Sequence, residues 1–176
     1  MKKVLETIKK ILIGIVGTAY FLFALAMTIL LLNYNDYGVT QFGSKSLIIM
    51  TDNIASETYK KGDLVIVEAK KAEQLKTGQE VFTYRIDSKG IPMIQIGKVG
   101  EVYVEDDAIA FENGETYSME FVAGVGTKSY ESLGTALSII ESQWGFLFIV
   151  LVPCFLIFIY EVYSLIVEIK YGGQED

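Results

Sequence analysis

The sequence predicts a mainly β domain, a folded sheet or small barrel, set between two transmembrane α-helices. Half of the chain is apolar, yet its formal charge is −7, a combination that requires apolar and charged residues to be segregated along it. Two long apolar runs lie towards the two ends. Between them, apolar and polar residues alternate at the two-residue period of strands, broken by turn residues. With 176 residues, there is room for one domain of ordinary size beside the two runs.

The first run, ILIGIVGTAYFLFALAMTILLL from Ile11 to Leu32, contains no charged residue. At about 1.5 Å per residue it crosses the hydrocarbon core as a helix. Ala24-Leu25-Ala26 offers the A-x-A pattern of a cleavable secretion signal. The pattern lies inside the apolar run, with six residues still to go before Asn33, and the apolar region of a signal is normally shorter. The run is therefore expected to stay as an anchor. The second run, from Trp144 to Val167, has a single interruption, Glu161, near enough to its end to reach the headgroups.

Lys2, Lys3, Lys9 and Lys10 precede the first run, and NYNDYG after it carries no Lys or Arg. Residues 1–10 are thus expected in the cytoplasm, 33–143 outside the cell membrane, and the tail 168–176 in the cytoplasm again. Cys154, the sole cysteine, lies in the second run, so no intramolecular disulfide is possible. It reads as an apolar packing residue, beside a Pro153 that a membrane helix tolerates.

Within 33–143, strands are expected at Ser46–Met50, Asp63–Glu68, Glu80–Ile86, Ile91–Ile96, Glu101–Val104, Ala108–Phe111 and Thr116–Val125, all rich in Val, Ile, Tyr and Phe. Asp87-Ser88-Lys89-Gly90 and the Asn113-Gly114 pair read as hairpin turns, which makes the flanking strands antiparallel. Tyr130, Leu133, Leu137 and Ile140 recur at helical spacing. They predict a short amphipathic helix before Trp144, either at the membrane surface or as a connector packed on the sheet.

Composition removes several function classes. Residues 33–143 hold 10 Lys and Arg against 17 Asp and Glu, a surface that repels nucleic acid and lacks a basic groove for phosphate. There is no histidine, so the usual zinc, copper and haem sites are not expected. Glu105-Asp106-Asp107 reads as a solvated turn in preference to a calcium site. The glycines at 97, 100, 124 and 126 match no phosphate-binding loop. Neither a nucleotide nor any cofactor is expected.

GDLVIV at 62–67, VFTYRI at 81–86 and SLGTALSIIESQWGFLFIVLVPCFLIFIYEVYSLI at 132–166 together resemble the signal peptidase I family, in its archaeal and endoplasmic-reticulum-like branch that also occurs in Gram-positive bacteria. The resemblance runs from about residue 46 onward and agrees with the layout of anchor, β domain and anchor. It implies a serine endopeptidase fold. In that family the second serine of S-G-S-M-E-P-T attacks the peptide bond, and a histidine within T-H-R-I, or a lysine in the main bacterial branch, supplies the base. A serine hydroxyl holds its proton at neutral pH, so it needs such a neighbour.

Aligning Thr51 to Ser56 on that motif puts Asn53 at the nucleophile position, and an ungapped placement from Gly62 puts Ile54 there; neither side chain attacks a carbonyl. Thr83-Tyr84-Arg85-Ile86 falls on T-H-R-I, so Tyr84 takes the base position, and a phenol is a poor base near neutrality. The family's later G-D-A-N-N-x-x-D box is not recognisable around IQIGKVGEVYVEDD. Ser44, Ser46 and Ser56, with Lys45, Lys60 and Lys61 close in sequence, are the fallback for a Ser/Lys dyad. A working lysine there would have to be buried to lose its proton.

The resemblance therefore implies a non-catalytic signal-peptidase-like membrane protein that binds or presents exported precursors or a partner enzyme. Degenerate relatives act as assembly accessories in some Gram-positive pilus systems, which makes surface-protein assembly a candidate role. The alternatives are an active peptidase with a non-standard dyad, and an anchored structural or sensory module. The expected partners are the lipid bilayer and exported or cell-surface proteins.

Overall fold

The computed structural model describes residues 2–54 and 56–171. Ala55 of the motif alignment and tail residues 172–176 lie outside the described residues, as do the side chains of Lys2, Lys3, Lys9 and Lys10. The chain divides into two units, one of residues 30–138 and one of 1–29 with 139–176.

In the second of these, α1 (Lys2–Leu32) contains the first apolar run. The other run begins as a short turn of helix, Gln143–Gly145, passes through a π-helical stretch, Phe146–Leu151, and continues as a helix to Tyr171. The stretches Ile11–Leu32 and Gln143–Lys170 are both long and apolar enough to cross a membrane. The π-helix has a local cause. Pro153 has no N–H to offer the preceding turn, and the Tyr20 hydroxyl donates instead to the carbonyls of Ile149 and Val150, at 2.7 and 2.8 Å.

The other unit is a curled antiparallel sheet, a half-barrel. Its strands are β1 (Thr40–Phe42), β2 (Lys45–Ile49), β3 (Leu64–Glu68), β4 (Glu80–Ile86), β5 (Pro92–Tyr103), β6 (Ala108–Phe111), β7 (Thr116–Ser118) and β8 (Val122–Tyr130). Their order across the sheet is β1-β2-β3-β8-β4-β5-β6-β7. β4 and β6 have the expected bounds. Ile91–Ile96 and Glu101–Val104 are not separate strands: they merge into β5, with its register shifting between Val99 and Glu101 around Gly100. The expected strand Thr116–Val125 is split by a 3-10 turn, Met119–Phe121, so that β7 is an edge and β8 returns to the centre of the sheet. Tyr130 ends β8 instead of starting a helix, and the helix itself is Leu133–Glu141. Its first turn seats on the sheet, where the Thr135 N–H donates to the Gly62 carbonyl at 3.1 Å.

Both expected hairpins form. Asp87 accepts from the N–H groups of Lys89 and Ile91, each at 2.8 Å, an Asx turn that closes β4 on β5. At the other hairpin only Gly114 of the Asn-Gly pair has positive φ, 87°, as in a turn with one left-handed residue. At the crossing of β8 with β3 and β4, Gly124 (φ 127°) lies where a Cβ would run into the Glu68 carbonyl, so glycine is required there.

Strand alternation on the curled sheet makes two apolar cores. Ile48, Met50, Val65, Val67, Phe82 and Tyr84 form one, and Val81, Val99, Ile109, Phe111 and Val122 the other. β4 feeds both, Phe82 and Tyr84 inward on one face and Val81 on the opposite face.

Candidate functional site

Tyr84, at the expected base position, points from β4 into the first core and is 6% exposed. Its ring stacks on Tyr37, with centroids 4.2 Å apart and planes 2° from parallel. Its hydroxyl meets two partners. The Asn35 amide donates to it at 3.0 Å, and the Ser46 hydroxyl lies 3.4 Å away. Ser46 faces inward because β2 alternates, with Ser46 and Ile48 buried and Lys45 exposed. Of the three fallback serines, Ser46 is thus the one brought against Tyr84, but it is 3% exposed.

Asn35 organises this cluster. Its side-chain carbonyl accepts from the N–H groups of Tyr37 and Val39, each at 3.0 Å, and its amide also donates to the Gln41 side-chain Oε1 at 3.1 Å. The backbone closes the same turn, with Asn35 N–H on the Val39 carbonyl and Gly38 N–H on the Asn35 carbonyl. Asn35 is not among the candidate residues that the sequence offers. The available signal was the spacing Asn35-Asp36-Tyr37-Gly38, an Asx-type turn followed by glycine.

Asn53 and Ile54 lie in the loop between β2 and β3. The Ile54 N–H closes a turn on the Thr51 carbonyl at 3.1 Å, and its side chain packs on the core that contains Tyr84. Asn53 is exposed and lines an open depression of about 550 Å³ with Arg85, Asp87, Met93 and Ile94. Tyr84 does not line that depression. Asn53 therefore stands on the surface and Tyr84 in the interior.

Ser56 is tied into a turn, its hydroxyl accepting from the N–H groups of Thr58 and Tyr59 at 3.0 Å. Ser44 is exposed at the turn between β1 and β2, and its carbonyl accepts from Ala69 N–H. Lys61 is paired with Asp52 at 2.6 Å, with both side chains about two-thirds exposed. Lys45 and Lys60 are exposed. Among the described residues, none of these three lysines is hydrogen-bonded to Ser44, Ser46 or Ser56. Glu105, Asp106 and Asp107 are all exposed after β5, and Asp107 has φ 48°.

A second depression, of about 460 Å³, adjoins the first at Ile96 and is lined by Ser56, Glu57, Glu80, Lys98 and Glu112. Lys98 bonds Glu57 at 2.7 Å, which lowers the Glu57 carboxyl below its ordinary range and raises the Lys98 ammonium. On the other side of β5, Glu115 accepts from Gln95 (2.8 Å), Asn113 and Tyr117, and Arg85 approaches it at 3.6 Å. The hydrogen bond from Gln95, then that from Asn113, hold its carboxyl low, whereas burial pushes the Tyr117 phenol up.

Two open depressions that share Ile96 thus lie on the surface, and Tyr84 is a buried, hydrogen-bonded side chain that lines neither of them. Comparison with protein-family models, with curated proteins and with solved structures found no match for the chain.

Proposed function

We propose that this protein is a membrane-anchored, non-catalytic relative of signal peptidase I, whose extracytoplasmic half-barrel holds extended segments of exported proteins without cutting them. In this reading both termini are cytoplasmic and the two apolar helices cross the cell membrane. The observation that carries it is the state of Tyr84: the side chain at the base position is sealed in the core and bonded to Asn35. The side chain at the nucleophile position is either an exposed amide, Asn53, or a packed aliphatic, Ile54. Hydrolysis needs an attacking group and a proton acceptor in contact, whereas holding a strand needs only an edge and side-chain pockets. Assembly of surface proteins or pili is the use that follows from the family resemblance.

The test is incubation of the full-length protein in detergent with a secretory precursor. Co-purification of uncut precursor is the expected result. Cleavage that disappears on replacing Ser44, Ser46 or Ser56 would overturn the proposal in favour of a working Ser/Lys peptidase. Absence of both capture and cleavage would overturn it in favour of a structural or sensory module.

A further inference from the structure

Residues 93–98 of β5 line the two depressions that share Ile96, and the hydrogen-bond phase of this stretch follows from its pairing. β4 and β5 pair without a register shift, from Glu80 opposite Lys98 to Ile86 opposite Pro92. Just beyond either end, Asp87 N–H bonds the Ile91 carbonyl and Val99 N–H bonds the Gln79 carbonyl. In an antiparallel ladder, bonded and non-bonded pairs alternate, so Met93, Gln95 and Gly97 spend their backbone groups on β4. Ile94, Ile96 and Lys98 turn theirs to the opposite edge. There the Lys98 carbonyl is taken by Glu112 N–H at 2.9 Å, because β6 pairs with β5 only from Val99 onward. Among the described residues, no strand lies beside Ile94 and Ile96 on that side. The two adjoining depressions meet at Ile96, on this stretch.

We infer that the free edge of β5 at Ile94 and Ile96 accepts an extended basic peptide as an added strand, with apolar residues at every second position. The inference rests on the proposed function and names its mode of capture. Side chains alternate across the edge. One set faces the side of Ile94 and Ile96, which pack on the first core; the other faces the polar group formed by Gln95, Glu115 and Tyr117. Charge selects the occupant. The two depressions carry Glu57, Glu80, Asp87 and Glu112 against Lys98 and Arg85, and the two cations are already engaged by Glu57 and Glu115. A second copy pairing by its own β5 edge would set this acidic rim against itself, whereas a lysine-bearing strand complements it.

The test uses the full-length protein in detergent and a fluorescent capped heptapeptide, Lys-Val-Lys-Val-Lys-Val-Lys, followed by anisotropy. Two N-methylated versions separate strand addition from charge attraction, one methylated on the valine amides and one on the lysine amides. An added strand uses one alternate set of amides against the edge, so one version is expected to bind about tenfold more weakly or worse and the other to be little affected. Ile96→Pro removes an N–H that faces the edge and leaves those that face β4, as proline tolerates on an edge strand. It is expected to weaken the unmethylated peptide by a similar factor. If that variant does not fold, the methylated pair on the native protein decides alone.

Equal affinity of the two methylated peptides, equal binding of a Glu-for-Lys peptide, or no binding at all would overturn the inference. So would a dimer of the protein that the peptide dissociates, which would make the edge an interface between copies. Precursor capture that survives Ile96→Pro and excess peptide would overturn the edge site and leave the proposed function standing. Peptide binding without precursor capture would do the reverse.

Discussion

The Asn35 amide donates to the Tyr84 hydroxyl at 3.0 Å, joining the segment after α1 to the middle of β4 across 49 residues of sequence. The hydrogen-bonding capacity of the Asn35 side chain is in full use, with two acceptances from backbone N–H groups and two donations. Asn35→Leu removes every one of these bonds and leaves Tyr84 and Gln41 short of a partner in a partly buried setting. A loss of about 1–3 kcal/mol is expected, measured by thermal or denaturant unfolding in detergent. A variant as stable as the parent would show the cluster to be dispensable.

Tyr84→Phe tests the same cluster from the other side. The stacking on Tyr37 and the packing survive, so the cost is expected to be about 1 kcal/mol, the net worth of a hydrogen bond. Precursor capture is expected to be unchanged. Ser46→Ala, which gives up only a 3.4 Å contact to Tyr84, is expected to cost less than that and likewise to leave capture intact.

Phe82 has no exposed surface and packs among Ile48, Val65 and Tyr84, with Tyr59 tilted against its ring at 5.6 Å. Phe82→Ala is expected to cost about 3–5 kcal/mol through lost burial and the cavity left behind. Unfolding midpoints of the two proteins measure this directly.

These expectations depend on elements that the sequence declares unevenly. β4 is legible to the residue, because EVFTYRI is dense in Val, Phe, Tyr and Ile and the Asp87 turn ends it. β1 is not: Thr40-Gln41-Phe42 is too short to show a period, and it becomes a strand by pairing with Phe42 opposite Lys45. The sequence divides β5 in two because the glycines between Ile96 and Glu101 read as turn residues. In the fold, Gly97 makes room for the Phe111 ring and Gly100 sits at the register shift, both facts of tertiary packing. The surface position of Asn53 follows from its loop. The burial of Ser46 against Tyr84 required knowing that β2 and β4 contribute to the same core, and Asn35 gained its role only through chain closure.

The pair of long apolar helices carries its own expectation. Tyr20→Phe removes the donor that serves the Ile149 and Val150 carbonyls. In an apolar medium such a contact is worth about 0.6–1.7 kcal/mol, and a corresponding loss of helix-pair stability is expected in detergent or bilayer unfolding.

The cluster on Glu115 sets a pH dependence. Its carboxyl is lower in the folded chain than in the unfolded one, so its contribution is present above the unfolded carboxylate pKa. That contribution is lost as pH falls through the lowered value. The Tyr117 phenol is raised, so its contribution is complete below the ordinary tyrosine value of about 10 and is lost as pH climbs through the raised one. Glu115→Gln is expected to flatten the acid limb of the stability profile. An unchanged acid limb would place the dependence on other carboxylates.

The proposal that no working dyad exists is tested most directly by intact-mass spectrometry of the full-length protein after exposure to a serine-directed fluorophosphonate. The expected spectrum is that of the unmodified chain. A stoichiometric adduct on Ser44, Ser46 or Ser56 would contradict it, since only a hydroxyl with a functioning base beside it reacts in that way.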